Sequence, residues 1–304
     1  MPFRLLPRES VIESVRRIAA EQIDKACDEI DDPRRQQAKT VHQVRKRCKR
    51  LRGLVHLVRP AMGRTYRTEN AWFRDTAKRL AAARDGETAL DTYDKLVEHF
   101  SPQVDRSIFD SIRQRLTLQR KHLRSDAVGE QLVGVRDRLA EALERIPSWQ
   151  LDRDGFAAVR SGLGQTYGRA RDSLVQVRKH PTPEAFHVWR KWVKYHNDHC
   201  ALLRGLWPVV INARRGEVDR LGIWLGEDHD LAVLKDRVGS LSNEVAQRND
   251  VKTLCGLIDQ RRQQIESTSI SLGSRVFAEE RKAFVKRHRR YWKASYGNHV
   301  GRCE

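Results

Sequence analysis

The residues of this chain best suited to chemistry are cations grouped around histidines, and the group occurs twice. His42, Arg45, Lys46 and Lys49 spell H-x-x-R-K-x-x-K, and His187, Arg190, Lys191 and Lys194 spell it again 145 residues later. Arg offers a planar fork of donors that matches phosphate oxygens, Lys a mobile point charge, and neutral His a donor that gains charge as the pH falls. That chemistry is anion binding. On a helix, His42, Arg45, Lys46, Lys49, Arg52 and His56 fall on one face, while Val41, Val44, Cys48, Leu51, Val55 and Val58 form another. From Val41 to Pro60 there are seven Lys and Arg and no acid. Like charges at i,i+3 and i,i+4 cost about 0.2–0.5 kcal/mol each, so an anion relieves such a run. The stripe from His42 to Arg52 extends roughly 15 Å at helical rise, long for one phosphate and suited to a chain of them.

The repeat extends beyond this motif. Leu80-x-x-x-Arg84-Asp85 recurs at the same offset as Leu225-x-x-x-His229-Asp230, and the apolar stripe of the first copy falls on Trp189, Val193, His196, Cys200 and Leu203. Two motifs in register without a gap mark a duplicated unit. Pro residues fall between segments with helical apolar spacing, and strand-like alternation is nearly absent. Helices are therefore expected at roughly 8–30, 36–58, 66–83, 87–100, 104–123 and 127–145, followed by a second set. The expected fold is all-α, with homologous helical bundles over residues 1–148 and 149–304.

The 59 Lys and Arg against 40 Asp and Glu give a net charge of +19, which points to a polyanionic partner. Nucleic acid, an anionic membrane surface and a phosphate polymer all fit, and charge alone does not choose among them. Five scattered Cys without C-x-x-C spacing, and no apolar run long enough to span a bilayer, lead us to expect a soluble protein of the reducing cytoplasm. Asp85 and Asp230 are paired by the repeat and are expected to orient nearby Arg or cap a helix. Asp228, His229 and Asp230, with His196 and His199, lack the spacing of a metal site, so no metal or cofactor is expected. No P-loop, nucleophile elbow or kinase motif occurs, and no catalytic residue is assigned. Arg171, with Tyr167, Arg160 and Arg178, and separately Arg84, would widen the basic surface. The stretch from Arg281 to Lys293 reads as a secondary cationic patch, with Phe284 and Trp292 as core anchors.

The segments VHQVRKRCKRLRGLVHLVRP and LAAARDGETAL, with FHVWRKWVKYHNDHCALLRGLWP and WLGEDHDLAVL, resemble the CHAD family, the conserved-histidine α-helical domain, over nearly the whole chain. The resemblance implies two antiparallel four-helix bundles related by a pseudo-twofold, with a basic channel between them. It also implies binding of inorganic polyphosphate and association with polyphosphate granules. By motif, His42, Arg45, Lys49 and Arg52, with His187, Arg190, Lys191 and Lys194, would line that channel, and Lys46 belongs to the same stripe. The second copy departs from the family by continuing Lys194 with Tyr195, His196, Asn197 and Asp198. Asn197 stands where Arg52 does, so binding is expected to lean on the first half. The R-D segment also departs at Gly86 and Glu87, and Glu87 is given no role. No E-x-E-x-K run of the triphosphate tunnel enzymes is present, which leaves a non-catalytic binding module as the leading expectation. A helical nucleic-acid binder is the alternative, and an enzyme of polyphosphate metabolism with His42 or His187 as phosphoacceptor ranks below it.

Overall fold

Helix boundaries follow the local chemistry. Ser10 opens α1 (Val11–Asp31) with a capping box in which its Oγ accepts from the Glu13 amide and the Glu13 carboxylate accepts from the Ser10 amide. α2 (Gln37–Leu57) and α3 (Gly63–Arg79) follow, and Gly63 takes a φ of 57° that favours glycine. α4 (Ala81–His99) starts directly after Leu80, so the break expected near residues 84–86 lies four residues earlier in the chain. A 3-10 turn at Arg106–Phe109 leads into α5 (Asp110–His122), and α6 (Ala127–Arg145) ends in another at Ile146–Ser148. The second set is α7 (Gly155–Lys179), α8 (Pro183–Leu203), α9 (Pro208–Leu241), α10 (Arg248–Val276) and α11 (Arg281–Tyr296). This computed structural model describes residues 3–122, 127–241 and 248–297, with the side chains of 82–87, 120–122, 127, 241 and 248 outside the described residues. All regular structure among the described residues is helical.

The 145-residue offset carries α1 onto α7 and α2 onto α8. It carries α3 and α4 together onto α9, a single helix of 34 residues. Two apolar cores result among the described residues. The larger draws on α1, α2, α3, α6, α7, α8 and α11, with Val218, Leu221 and Leu225 of α9. The smaller is built by α4, α5, the later part of α9 and the earlier part of α10, around Tyr93, Phe109, Leu234 and Ile258. Each core takes helices from both copies of the repeat.

The two motif helices cross directly. Val41, Val44, Cys48, Leu51 and Val55 of α2 and Trp189, Val193 and Cys200 of α8 are buried, which leaves the cationic faces of both helices beside the crossing. His199 of α8 reaches the Gly53 carbonyl of α2 through Nε2 at 3.1 Å. Gly162 lets α7 close on the end of α2, where a Cβ would stand 2.0 Å from the Leu57 carbonyl oxygen. Backbone-to-backbone contact of this kind favours glycine and sets how closely α7 approaches the first motif helix, α2.

Candidate functional site

Beside the α2–α8 crossing lies a groove closed by α4 and α9. Its wide part encloses about 800 Å³ and its narrower part about 320 Å³, and Lys46, Lys49, Arg190, Lys194 and Asp230 line both. His42 and Arg45 line the narrow part together with His229. The two sequence motifs, 145 residues apart, therefore meet in one cavity. Among the described residues, ten Lys or Arg against four acids line its walls, a balance that suits a polyanion.

The cations are crowded, and their ionisation reports it. Burial pushes the Lys194 ammonium down to about 8, with Arg190 acting in the same direction and Asp198, Asp230 and Asp219 opposing. His187 and His229 approach each other at 3.3 Å between their Nδ1 atoms. Burial brings His229 down to about 4, assisted by Arg190, His187, Lys49 and Lys194. His187 is lowered for the same reasons, burial first and then Arg190, Lys191 and Lys49. An anion placed among these groups would offset the repulsion that adds to burial in keeping the imidazoles neutral. Arg45 spends one Nη1 donor on the Ala77 carbonyl at 2.6 Å, which anchors it to the end of α3.

Arg52 and Lys191 belong to a different cluster. Arg52 donates through Nε to the Asn70 side chain at 3.1 Å and lies over the Tyr195 ring at 5.7 Å. The Lys191 ammonium and the Arg169 guanidinium both sit over Trp192, at 5.0 and 4.7 Å, and Arg59 covers Tyr66 at 4.9 Å. Burial lowers the Lys191 pKa, and Arg52 and Arg169 lower it further. The arrangement is reciprocal. Lys46 shares the groove with Asn197, and its repeat counterpart Lys191 sits by Arg52, the counterpart of Asn197.

Arg171 is taken up elsewhere, its guanidinium paired with Glu280 at the start of α11. The Arg84, Asp85 and Glu87 side chains lie outside the described residues. Tyr167 is a core residue stacked on Phe284 at 4.0 Å, and Arg178 bonds to Ser274. Asp228 is buried and bound to Arg262 at 2.8 Å. His196 and His199 are likewise buried in the core, and no group of three metal-ligating side chains occurs among the described residues.

The sequence reading missed Arg50, Lys95, Arg204 and Arg215, all of which line the wide part of the groove. Arg204 could have been found, because the 145-residue offset carries Arg59 onto it. Arg215 falls on Asn70, so no repeat signal marks it. Arg50 lies just beyond the amphipathic stripe and reaches the groove because α8 packs on that side.

The family model of the CHAD domain matches residues 17–239. The crystal structure of the CHAD domain from the plant Ricinus communis aligns with a TM-score of 0.59 at 16% identity, covering 97% of each chain. Comparison with curated proteins gave no match.

Proposed function

Because the chain belongs to the CHAD domain family, we propose that its groove binds inorganic polyphosphate as a non-catalytic module and carries the protein to polyphosphate granules in the cytoplasm. The observation that supports this reading best is the meeting of the two H-x-x-R-K-x-x-K motifs in one cationic groove. A linear phosphate polymer presents repeating anionic oxygens without bases or sugars. Lys46, Lys49, Arg190 and Lys194 can satisfy such a ligand by charge and hydrogen bonding alone. No described helix is long and apolar enough to cross a membrane. His42 and Arg45 would contact the chain in the narrow part, while Arg52 and Lys191 would meet it only where it extends beyond the groove.

Titration with long-chain polyphosphate and with single- and double-stranded DNA and RNA, across a salt series, tests the assignment. Polyphosphate should bind more tightly at every ionic strength. Equal or tighter binding of nucleic acid would overturn it.

A further inference from the structure

The groove contains a charge of the wrong sign for its proposed ligand. Asp198 lines the wide part, half-buried, with its carboxylate pressed toward α2. A Cβ added to Gly53 would stand 2.5 Å from Asp198 Oδ2, so glycine at 53 makes the room that this carboxylate occupies. Gly53 and Asp198 are repeat counterparts, which means that the first copy leaves a space where the second inserts an acid.

Two other acids of the wide part are held in place. Asp219 accepts from Asn197 Nδ2 at 2.8 Å, and Glu227 is paired with Arg261 at 2.7 Å. Among the described residues, Asp198 has no hydrogen bond or ion pair of this kind. Arg50 from α2, Lys194 from α8 and Arg215 from α9 surround it as cations, and Asp219 from α9 adds a like charge. Three cations of the anion site thus face a carboxylate that is bonded to none of them.

We propose that Asp198 is an internal counter-anion of the groove, which opposes a phosphate chain while ionised and admits it once protonated, so that polyanion binding takes up a proton. This rests on the polyanion reading of the groove. Burial brings the Asp198 carboxyl up to about 7, with Asp219 acting in the same direction and Arg50, Lys194 and Arg215 opposing. A phosphate chain laid along those cations adds negative charge beside Asp198 and raises its proton affinity further. By linkage, protonation then favours the chain to the same degree. The span over which Asp198 changes charge is therefore the neutral range, and binding weakens as the pH rises through it.

Affinity for long-chain polyphosphate, whose internal phosphates stay ionised, is measured at about pH 6, 7 and 8 and constant ionic strength, for the wild type, Asp198→Asn and Asp198→Ser. Wild-type affinity should fall by up to about tenfold per pH unit above pH 7, the limit for one linked proton. Both variants should lose the part of that slope due to Asp198, keep the shallower part due to Lys194, which titrates at about 8, and bind more tightly than the wild type at pH 8. Calorimetry in buffers of different ionisation enthalpy should show greater proton uptake in the wild type than in either variant, a difference that separates Asp198 from Lys194, His187 and His229, which also gain protons beside an anion. An unchanged slope in the variants, or binding without proton uptake, overturns the role of Asp198 and leaves the polyanion site standing. Absence of polyphosphate binding at every pH overturns both.

Discussion

Gly162→Ala tests the close contact of α7 with the first motif helix, α2. A Cβ there would stand 2.0 Å from the Leu57 carbonyl oxygen and 2.5 Å from that of His56, so the backbones of α7 and α2 must part by about 1 Å to reach even 3.0 Å. Overpacking typically costs about 1–3 kcal/mol, and contact between two helix backbones places this case near the upper end. Alanine returns about 1 kcal/mol of helix propensity. The net expectation is a loss of about 2 kcal/mol. Gly216 in α9 and Gly256 in α10 have nothing within 4 Å of where a Cβ would stand, and there the same substitution should stabilise by about 0.5–1 kcal/mol. Denaturant unfolding followed by circular dichroism reads both, as opposite midpoint shifts at equal slope. A Gly162→Ala protein as stable as the wild type would refute the reasoning, since the two helices would then have room that the structure denies.

Buried histidines make the fold sensitive to acid. Burial holds His56 and His199 down to about 3 and His288 to about 4, and pushes His196 the same way. Unfolded histidines take up protons below about 6.5, so stability is fully present above that pH and lost as it falls. Asp198 and Glu266, raised to about 7, act in the opposite sense. With His229, also lowered to about 4, five histidines outnumber two carboxyls, and the net loss is on the order of 4 kcal/mol per pH unit below pH 6.5; a urea midpoint that stays flat from pH 7 to 5 would contradict it. Glu266 is raised by burial and then by Asp228, against Arg262, so its proton supports the fold at low pH and that support is lost as the pH rises from about 4.5 to about 7. Glu266→Gln should therefore gain stability relative to the wild type between pH 5 and 8, and melting curves showing the same difference at both values would refute this.

Much of the fold was legible because helical spacing, proline placement and a gapless repeat all pointed the same way. The break expected between residues 83 and 87 lies instead at Leu80, since one glycine costs a helix only about 1 kcal/mol and does not by itself end it. The site was legible at its centre, where His42, Arg45, Lys46 and Lys49 meet Arg190 and Lys194. Its flanks were not. Lys46 and Lys191 hold the same motif position yet enter different clusters, because each lies beside the other copy's residue at 197 or 52. Sequence offsets relate positions within a repeat, while the company of a side chain depends on how the two copies dock. The approach of Asp198 to Gly53 is legible only in that docking.

The function proposed for the groove depends most on the two motifs forming one polyanion site. The most direct test is the affinity of long-chain inorganic polyphosphate for the wild type, for Lys49→Glu with Lys194→Glu, and for a charge-matched control, Arg34→Glu with Lys252→Glu, at exposed positions outside the groove. Reversing one cation from each motif should weaken binding by at least about 100-fold, equivalent to about 3 kcal/mol for two charge-assisted contacts, while the control stays close to the wild type. A groove variant that binds as the wild type does, or a control that falls equally far, would contradict a shared site.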